Sequence, residues 1–531
     1  MRAPDARPAY GTQKLIEWKG MNCMAPYRNP VIPGFYPDPS VCRAGEDYYL
    51  VTSSFEYFPG VPIFHSRDLV HWRQLGYVLN RPSQLRLDKA RSSGGIYAPT
   101  IRYHQGKFYV TTTNVTGGGH LLVHSGDPAG EWSDPVWIDQ PGIDPDLFFD
   151  EDGTVYFSTA SGQAETGIYQ SVIDLKTGKR LTEPQIIWDG SGGKHPEAPH
   201  LYKIGGTYYL ILAEGGTEYG HMVTIARGDS PSGPFTGCPG NPILSHRSKA
   251  SPIQATGHAD LVQAHDGSWW AVCLGIRPVG YPNRHHLGRE TFLAPVKWNE
   301  QGWPEIGEGG MIAEKVEADT LPLHPWSEQT NHRDDFTAAA PELAWNFLRN
   351  PRPGSWSLEE RPGWLTLHGS QVTLDDEDAP AFLGRRQQHF ACRAETLLEF
   401  PPAHEGDEAG LTVLMNHRFH YEIALTRTGG ERILIFRRRL GSLRKVEHSV
   451  PWAGERVILG VRADAENYVF TYRHPERGEE RTILGRGECS MLATEVAGGF
   501  TGVFFGLYAV SGTSAPAAPA RFDWFDYIPL D

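Results

Sequence analysis

Five segments of this chain repeat one pattern: DPSVCRAGEDYYLV from Asp38, APTIRYHQGKFYV from Ala98, DPDLFFDEDGTVYF from Asp144, APHLYKIGGTYYLI from Ala198 and HADLVQAHDGSWWAV from His258. Each reads as a short apolar strand, a glycine-bearing turn, and a second strand rich in aromatic and β-branched residues. The second aromatic falls at Tyr49, Tyr109, Tyr156, Tyr209 and Trp270, a spacing of roughly 50 residues. A β-unit with that period cannot bury its own face and stacks on its neighbours, as propeller blades do. Five repeats predict five blades, with the first position of each repeat ringing a central axis. That ring reads Asp38, Ala98, Asp144, Ala198 with Glu197 just before it, and His258. Carboxylates gathered on one axis repel one another, so a fold with no use for them would rarely keep three there.

At 531 residues the chain exceeds the usual size of one core, and two domains are the default. The repeats occupy about 30–323, preceded by an irregular extension over 1–29. The polar, proline-bearing stretch Leu321–Phe336 reads as a linker. Beyond it, over 333–531, alternating strands such as AGLTVLMN, YEIALTR and RVILGVRAD lack the propeller period and predict a β-sandwich. The chain is thus read as all-β. High glycine (59) and proline (41) suit many turns. The basic run RILIFRRRLGSLRK alternates and is read as a strand with a solvated face.

A net charge of −14 argues against nucleic acid and polyanionic substrates, leaving a neutral partner such as a sugar. Six scattered cysteines without CxxC spacing read as reduced thiols. With neither a leader-like apolar run nor a stretch of about 20 apolar residues, the expectation is a cytoplasmic protein without a membrane partner. A homo-oligomer is compatible with this reading.

Asp38 and Glu197 each lie between prolines, in YPDPS and HPEAP, and Asp144 lies in GIDPDLFF. Its neighbours Asp146, Asp150 and Asp152 read as turn acids. Glu197 sits one residue before the position that matches Asp38. Either its strand begins with an irregularity or it approaches the axis from the rim. Two carboxyl groups facing each other across a neutral polyol imply glycoside hydrolysis, one protonated to donate and the other ionised to activate water or attack. A third can raise the pKa of the acid. The residues alone do not assign the roles. His258 could hold a cation or bond an acid. Arg289 could pair with a carboxylate or a sugar hydroxyl. Phe55 and Tyr97 could stack on a sugar or pack in the core.

The runs NPVIPGFYPDPSV, SSFEYFPGVPIFHSRDLVHW, SGGIYAPTIRY, IDPDLFFDEDG, EAPHLYKIGGTYYLILAEGGT, GHADLV and LGRET, in this order, resemble glycoside hydrolase family 43. The likeness is to its two-domain β-xylosidases and α-L-arabinofuranosidases. It implies a five-bladed propeller followed by a concanavalin-like sandwich, and an inverting mechanism. It further implies Asp38 as general base, Glu197 as general acid, and Asp144 as the group that tunes and orients Glu197. Arg289, Phe55 and Tyr97 would line the sugar pocket, and Phe500 in GGFTGVFFG would reach across from the sandwich. No cofactor is required, although related enzymes hold Ca²⁺ or a similar cation near His258 through waters. The implied reaction is exo-cleavage of terminal pentose, β-xylose foremost and α-L-arabinofuranose second or instead, from xylo- or arabinoxylo-oligosaccharides. Tyr97 stands where similar xylosidases carry Trp, and PEAPHLY replaces TEGPHLY, which bears on the leaving-group side. The rivals are a non-catalytic sugar-binding propeller and a retaining fructan hydrolase with an early Asp nucleophile.

Overall fold

The computed structural model describes residues 26–161, 166–317, 321, 324–326, 332–476, 478, 480–514 and 518–530. Most of the expected N-terminal extension and part of the expected linker lie outside them.

Five four-stranded antiparallel sheets follow one another, each built from strands taken in chain order. Their innermost strands are Ser40–Ala44, Thr100–His104, Ile143–Phe149, Glu197–Ile204 and Gln254–Gln263. These strands pack side by side in cyclic order, the fifth against the first, so the sheets are blades around an axis. The ring is tied shut near its start: Val31 and Ile32 donate to the Thr291 carbonyl at 3.0 and 3.2 Å, and Tyr27–Arg28 pairs with Lys315–Val316.

The C-terminal half forms two eight-stranded sheets. One of them takes its edge strand, Tyr57–Phe58, from the propeller, paired with Phe347 and Leu348. Tyr57 stacks on Phe504 with ring centroids 4.0 Å apart. Beneath them the buried Arg386 donates to the Phe35 carbonyl at 2.7 Å and to Asn346 at 2.5 Å. One sheet therefore runs through both domains, and cutting the sandwich away would strip the propeller of paired backbone. In the basic run, Arg437 departs from the solvated-face reading. It is buried and bridges Glu408 and Glu422, because inward positions of this strand meet two carboxylates that need a counter-charge.

Two axial layers matter for function. The upper holds Asp38, Ala98, Asp144, Ala198 and His258. Two residues further on each strand, the lower holds Ser40, Thr100, Asp146, His200 and Asp260, all buried, as the two-residue repeat of a strand dictates. Asp146 is thus not a turn acid. Asp150 and Asp152 do shape the following turn, where Gly153 donates to the Asp150 carbonyl and Thr154 to the Asp152 side chain.

Candidate active site

Four upper-layer residues, Asp38, Asp144, Ala198 and His258, have left-handed backbone at φ 55, 51, 52 and 52°. For non-glycine residues this costs about 1–2 kcal/mol each. The cost buys position: it turns each strand into the axis where the side chains meet. In blades three, four and five the register then slips by one residue, between Ile143 and Asp146, Glu197 and His200, and Gly257 and Asp260. These are β-bulges, which re-aim side chains. They resolve the offset of Glu197: it occupies the bulge position held by Ile143 in blade three and Gly257 in blade five. Gly257 must stay small, because a Cβ there would lie 2.3 Å from the His221 ring.

Asp38, Asp144, Glu197, His258 and Arg289 line one cavity of about 660 Å³ with Phe55 and Tyr97. Asp38 is clamped: Arg289 donates to Oδ1 at 2.8 Å and Oδ2 at 3.4 Å, and Ser53 to Oδ2 at 2.5 Å. Burial opposes its ionisation, but Arg289, His258 and the Ser53 hydroxyl outweigh it and hold the carboxyl below the usual range. Glu197 goes the other way: burial and the charge of Asp38, only partly offset by Arg289, push it up to about 7. Asp144 is pushed well above its ordinary value by burial, then by Glu197 and Asp38. Asp144 and Glu197 therefore titrate as a coupled pair that holds protons above the ordinary carboxyl range, beside an ionised Asp38. One cavity thus holds an anionic carboxylate and a protonated carboxyl pair, the acid–base division that environment alone can impose.

The sandwich completes the walls. Phe500 stacks on Phe55 with centroids 6.0 Å apart and meets Tyr97 edge-on at 6.2 Å. Arg289 lies 5.6 Å from both the Phe55 and Phe500 rings. The Phe500 loop is pinned by its own N–H donating to Ser93 Oγ at 2.9 Å. On the Glu197 side the wall is formed by His195, Thr217–Gly220 and His285, with Thr494 and Glu495 from the sandwich. Glu495 accepts from Tyr219 at 2.9 Å, from His285 Nδ1 at 2.8 Å and from the His285 N–H at 2.9 Å. The segment carrying Glu197 is anchored by the buried Glu214, which accepts from Ser191 N–H at 2.8 Å and Gly193 N–H at 2.7 Å.

All eight residues singled out from the sequence meet at this cavity. Ser53, Glu214, Tyr219 and Glu495 were not singled out. Ser53 and Glu214 sat unremarked inside the quoted SSFEYFPG and LAEGGT runs, whereas Tyr219 and Glu495 carry no local pattern.

The described side chains around His258 do not by themselves make up a metal site. Its Nδ1 lies 3.6 Å from Asp38 Oδ1, and that carboxylate is already taken by Arg289 and Ser53. Burial, outweighing the pull of Asp38, holds the imidazole down at about 4. Calcium asks for six to eight oxygen ligands. Among the described residues no three His, Cys, Asp or Glu side chains gather as a metal-holding group.

Comparison with known proteins decides the family. Residues 27–304 match the model of glycosyl hydrolases family 43, and 333–528 that of the β-xylosidase C-terminal concanavalin A-like domain.

The chain belongs to glycoside hydrolase family 43.

It is 46% identical over 514 residues to the non-reducing end alpha-L-arabinofuranosidase BoGH43B of Bacteroides ovatus, covering 95% of each chain. It is 39% identical to a xylosidase/arabinosidase of Butyrivibrio fibrisolvens, covering 91% of this chain and 95% of that one. Among solved structures, Bacteroides ovatus Xyloglucan PUL GH43B superposes with a TM-score of 0.91 at 44% identity, over 95% of this chain and all of that one. As a family 43 member the protein is a glycoside hydrolase, with the propeller and concanavalin-like sandwich read from its sequence.

Proposed function

We propose that this enzyme is an exo-acting, inverting pentosidase that removes a terminal β-xylosyl or α-L-arabinofuranosyl unit from plant-derived oligosaccharides. Asp38, held ionised, takes a proton from water as it attacks the anomeric carbon. Glu197, protonated to near neutrality, donates to the departing glycosidic oxygen. Asp144 lines the same cavity and its titration is coupled to that of Glu197, whose charge helps to raise it. Arg289 fixes the attitude of Asp38. Phe55, Tyr97 and Phe500 bound the terminal sugar, and a cavity walled by the second domain favours chain ends over internal bonds. The observation that carries the reading is the split between an ionised Asp38 and a protonated Glu197 in one cavity. An arabinofuranosidase preference is supported by the 46% identical relative of that activity.

The test compares initial rates on aryl β-D-xylopyranoside and aryl α-L-arabinofuranoside for wild type and Asp38→Ala. Turnover of either by the wild type, lowered about 10²–10⁴-fold in the variant, supports the reading, and the ratio of the two rates sets the preference. An active Asp38→Ala enzyme, or a product that retains its anomeric configuration, would refute the mechanism.

A further inference from the structure

A buried charge cluster directly beneath the reacting carboxylates is not absorbed by this mechanism: the lower axial layer. Its hub is Arg102, from blade two. Nη1 donates to Asp260 Oδ2 at 2.8 Å, to the Ile101 carbonyl at 2.9 Å and to Ser40 Oγ at 3.4 Å. Nη2 donates to Asp146 Oδ1 at 2.6 Å and to His200 Nδ1 at 2.9 Å. The acids are otherwise saturated. Asp260 accepts from Ser40 Oγ at 2.6 Å, Val41 N–H at 3.1 Å and Tyr202 Oη at 2.5 Å. Asp146 accepts from Leu201 N–H at 3.0 Å. One guanidinium thus gathers groups from all five blades.

We propose that Arg102 is a resident axial cation, a positioning residue that holds the five inner strands together beneath the reacting carboxylates in place of a metal ion, so that the enzyme turns over without a bound divalent cation. This rests on the reading of Asp38, Asp144 and Glu197 given above. Three observations carry it. First, Asp146, His200 and Asp260 all contact one centre, and a protein cation occupies it. Two carboxylates that are 1% exposed or less demand a counter-charge, and a planar fork can serve both at once as a point charge cannot. Second, the described side chains near His258 do not by themselves supply a metal site one layer higher. Third, the layers are mechanically coupled. Asp38, Asp144 and Ala198 are each joined to a lower-layer residue through one proline: Asp38–Pro39–Ser40, Asp144–Pro145–Asp146 and Ala198–Pro199–His200. Proline locks φ, so a shift of Ser40, Asp146 or His200 moves Asp38, Asp144 or the Glu197 bulge with it.

The experiment uses the full chain as wild type, Arg102→Ala and Arg102→Lys. Activity on an aryl pentoside and the thermal midpoint are measured after chelation, with added CaCl₂, and with millimolar guanidinium. The wild type should keep kcat within about twofold on chelation and show no calcium shift of its midpoint. Arg102→Ala should lose kcat on the order of 100-fold, the scale of a small misplacement of reacting groups, with KM changed far less. Arg102→Lys should recover part of kcat. Guanidinium should restore activity to the alanine variant, and calcium should raise its midpoint by occupying the vacated acids. A wild type inactivated by chelation and restored by calcium would overturn the proposal, as would an alanine variant with wild-type kcat. Should Arg102→Ala fail to fold, Arg102→Lys and the wild-type chelation series decide. A wild type inactive on every pentoside would refute the functional reading alone, and the calcium dependence of the midpoints would still decide this one.

Discussion

Glu197→Gln should make the protein more stable at alkaline pH while removing its acid chemistry. The Glu197 carboxyl titrates near 7 in the folded protein against an ordinary 4.5. Between those values the unfolded chain has released a proton that the native protein still holds. Stability therefore falls as pH rises through this window and is lowest above it. At about 1.4 kcal/mol per tenfold change in proton affinity, the full difference is about 3 kcal/mol. Asp144, no longer raised by the Glu197 charge, adds to this gain, so about 3 kcal/mol is expected. Glutamine keeps the shape and carries no charge, so it relieves this cost at pH 8 and changes little at pH 5. At roughly 2 °C per kcal/mol for a unit of this size, the variant should melt on the order of 5 °C above wild type at pH 8, with no such gain at pH 5. Thermal midpoints at matched scan rates measure it. On substrates with poor leaving groups its turnover should fall 10²–10⁴-fold, and the wild-type decline in rate above pH 7 should vanish. An equal stability gain at both pH values, or none at pH 8, would refute the assignment of a raised, destabilising carboxyl.

Three further outcomes follow from the same geometry. Glu495→Ala should free Tyr219 and His285 and raise KM for oligosaccharides several-fold more than for an aryl pentoside, read from paired Michaelis curves. Gly499→Ala should weaken binding of every substrate about tenfold: its φ is +88° and a Cβ would lie 2.5 Å from Ser93 Oγ, which displaces the loop that seats Phe500. Arg437→Met should destabilise the sandwich by about 3–5 kcal/mol, because Glu408 and Glu422 would be left buried without their counter-charge; denaturant melts followed by tryptophan fluorescence check it.

Much of this protein is legible in its sequence because much of it is local. A strand's alternation, a glycine turn and the recurring Asp-Pro or Ala-Pro start are properties of a few adjacent residues, and their repetition alone yields five blades and a ring of axial positions. Three acids in that ring identified the chemistry, and the ordered motifs identified Arg289, Phe55, Tyr97, Phe500 and His258. The offset of Glu197 was visible as an irregularity, but only strand pairing showed it to be a bulge shared by three blades. Asp146 was misread because DPDLFFDEDG contains five acids, and their distances in the chain do not say which face the axis. Arg102 was invisible for the same reason: it becomes a hub only when closure of the ring brings Asp146, His200 and Asp260 around it. Tyr219 and Glu495 are 276 residues apart, and Tyr57–Phe58 joins a sheet whose other strands come from the C-terminal domain. Period and polarity are written along the chain. The choice of partner across a closed ring or a domain boundary is made by packing and by the need to neutralise buried charge, and these exist only in the folded molecule.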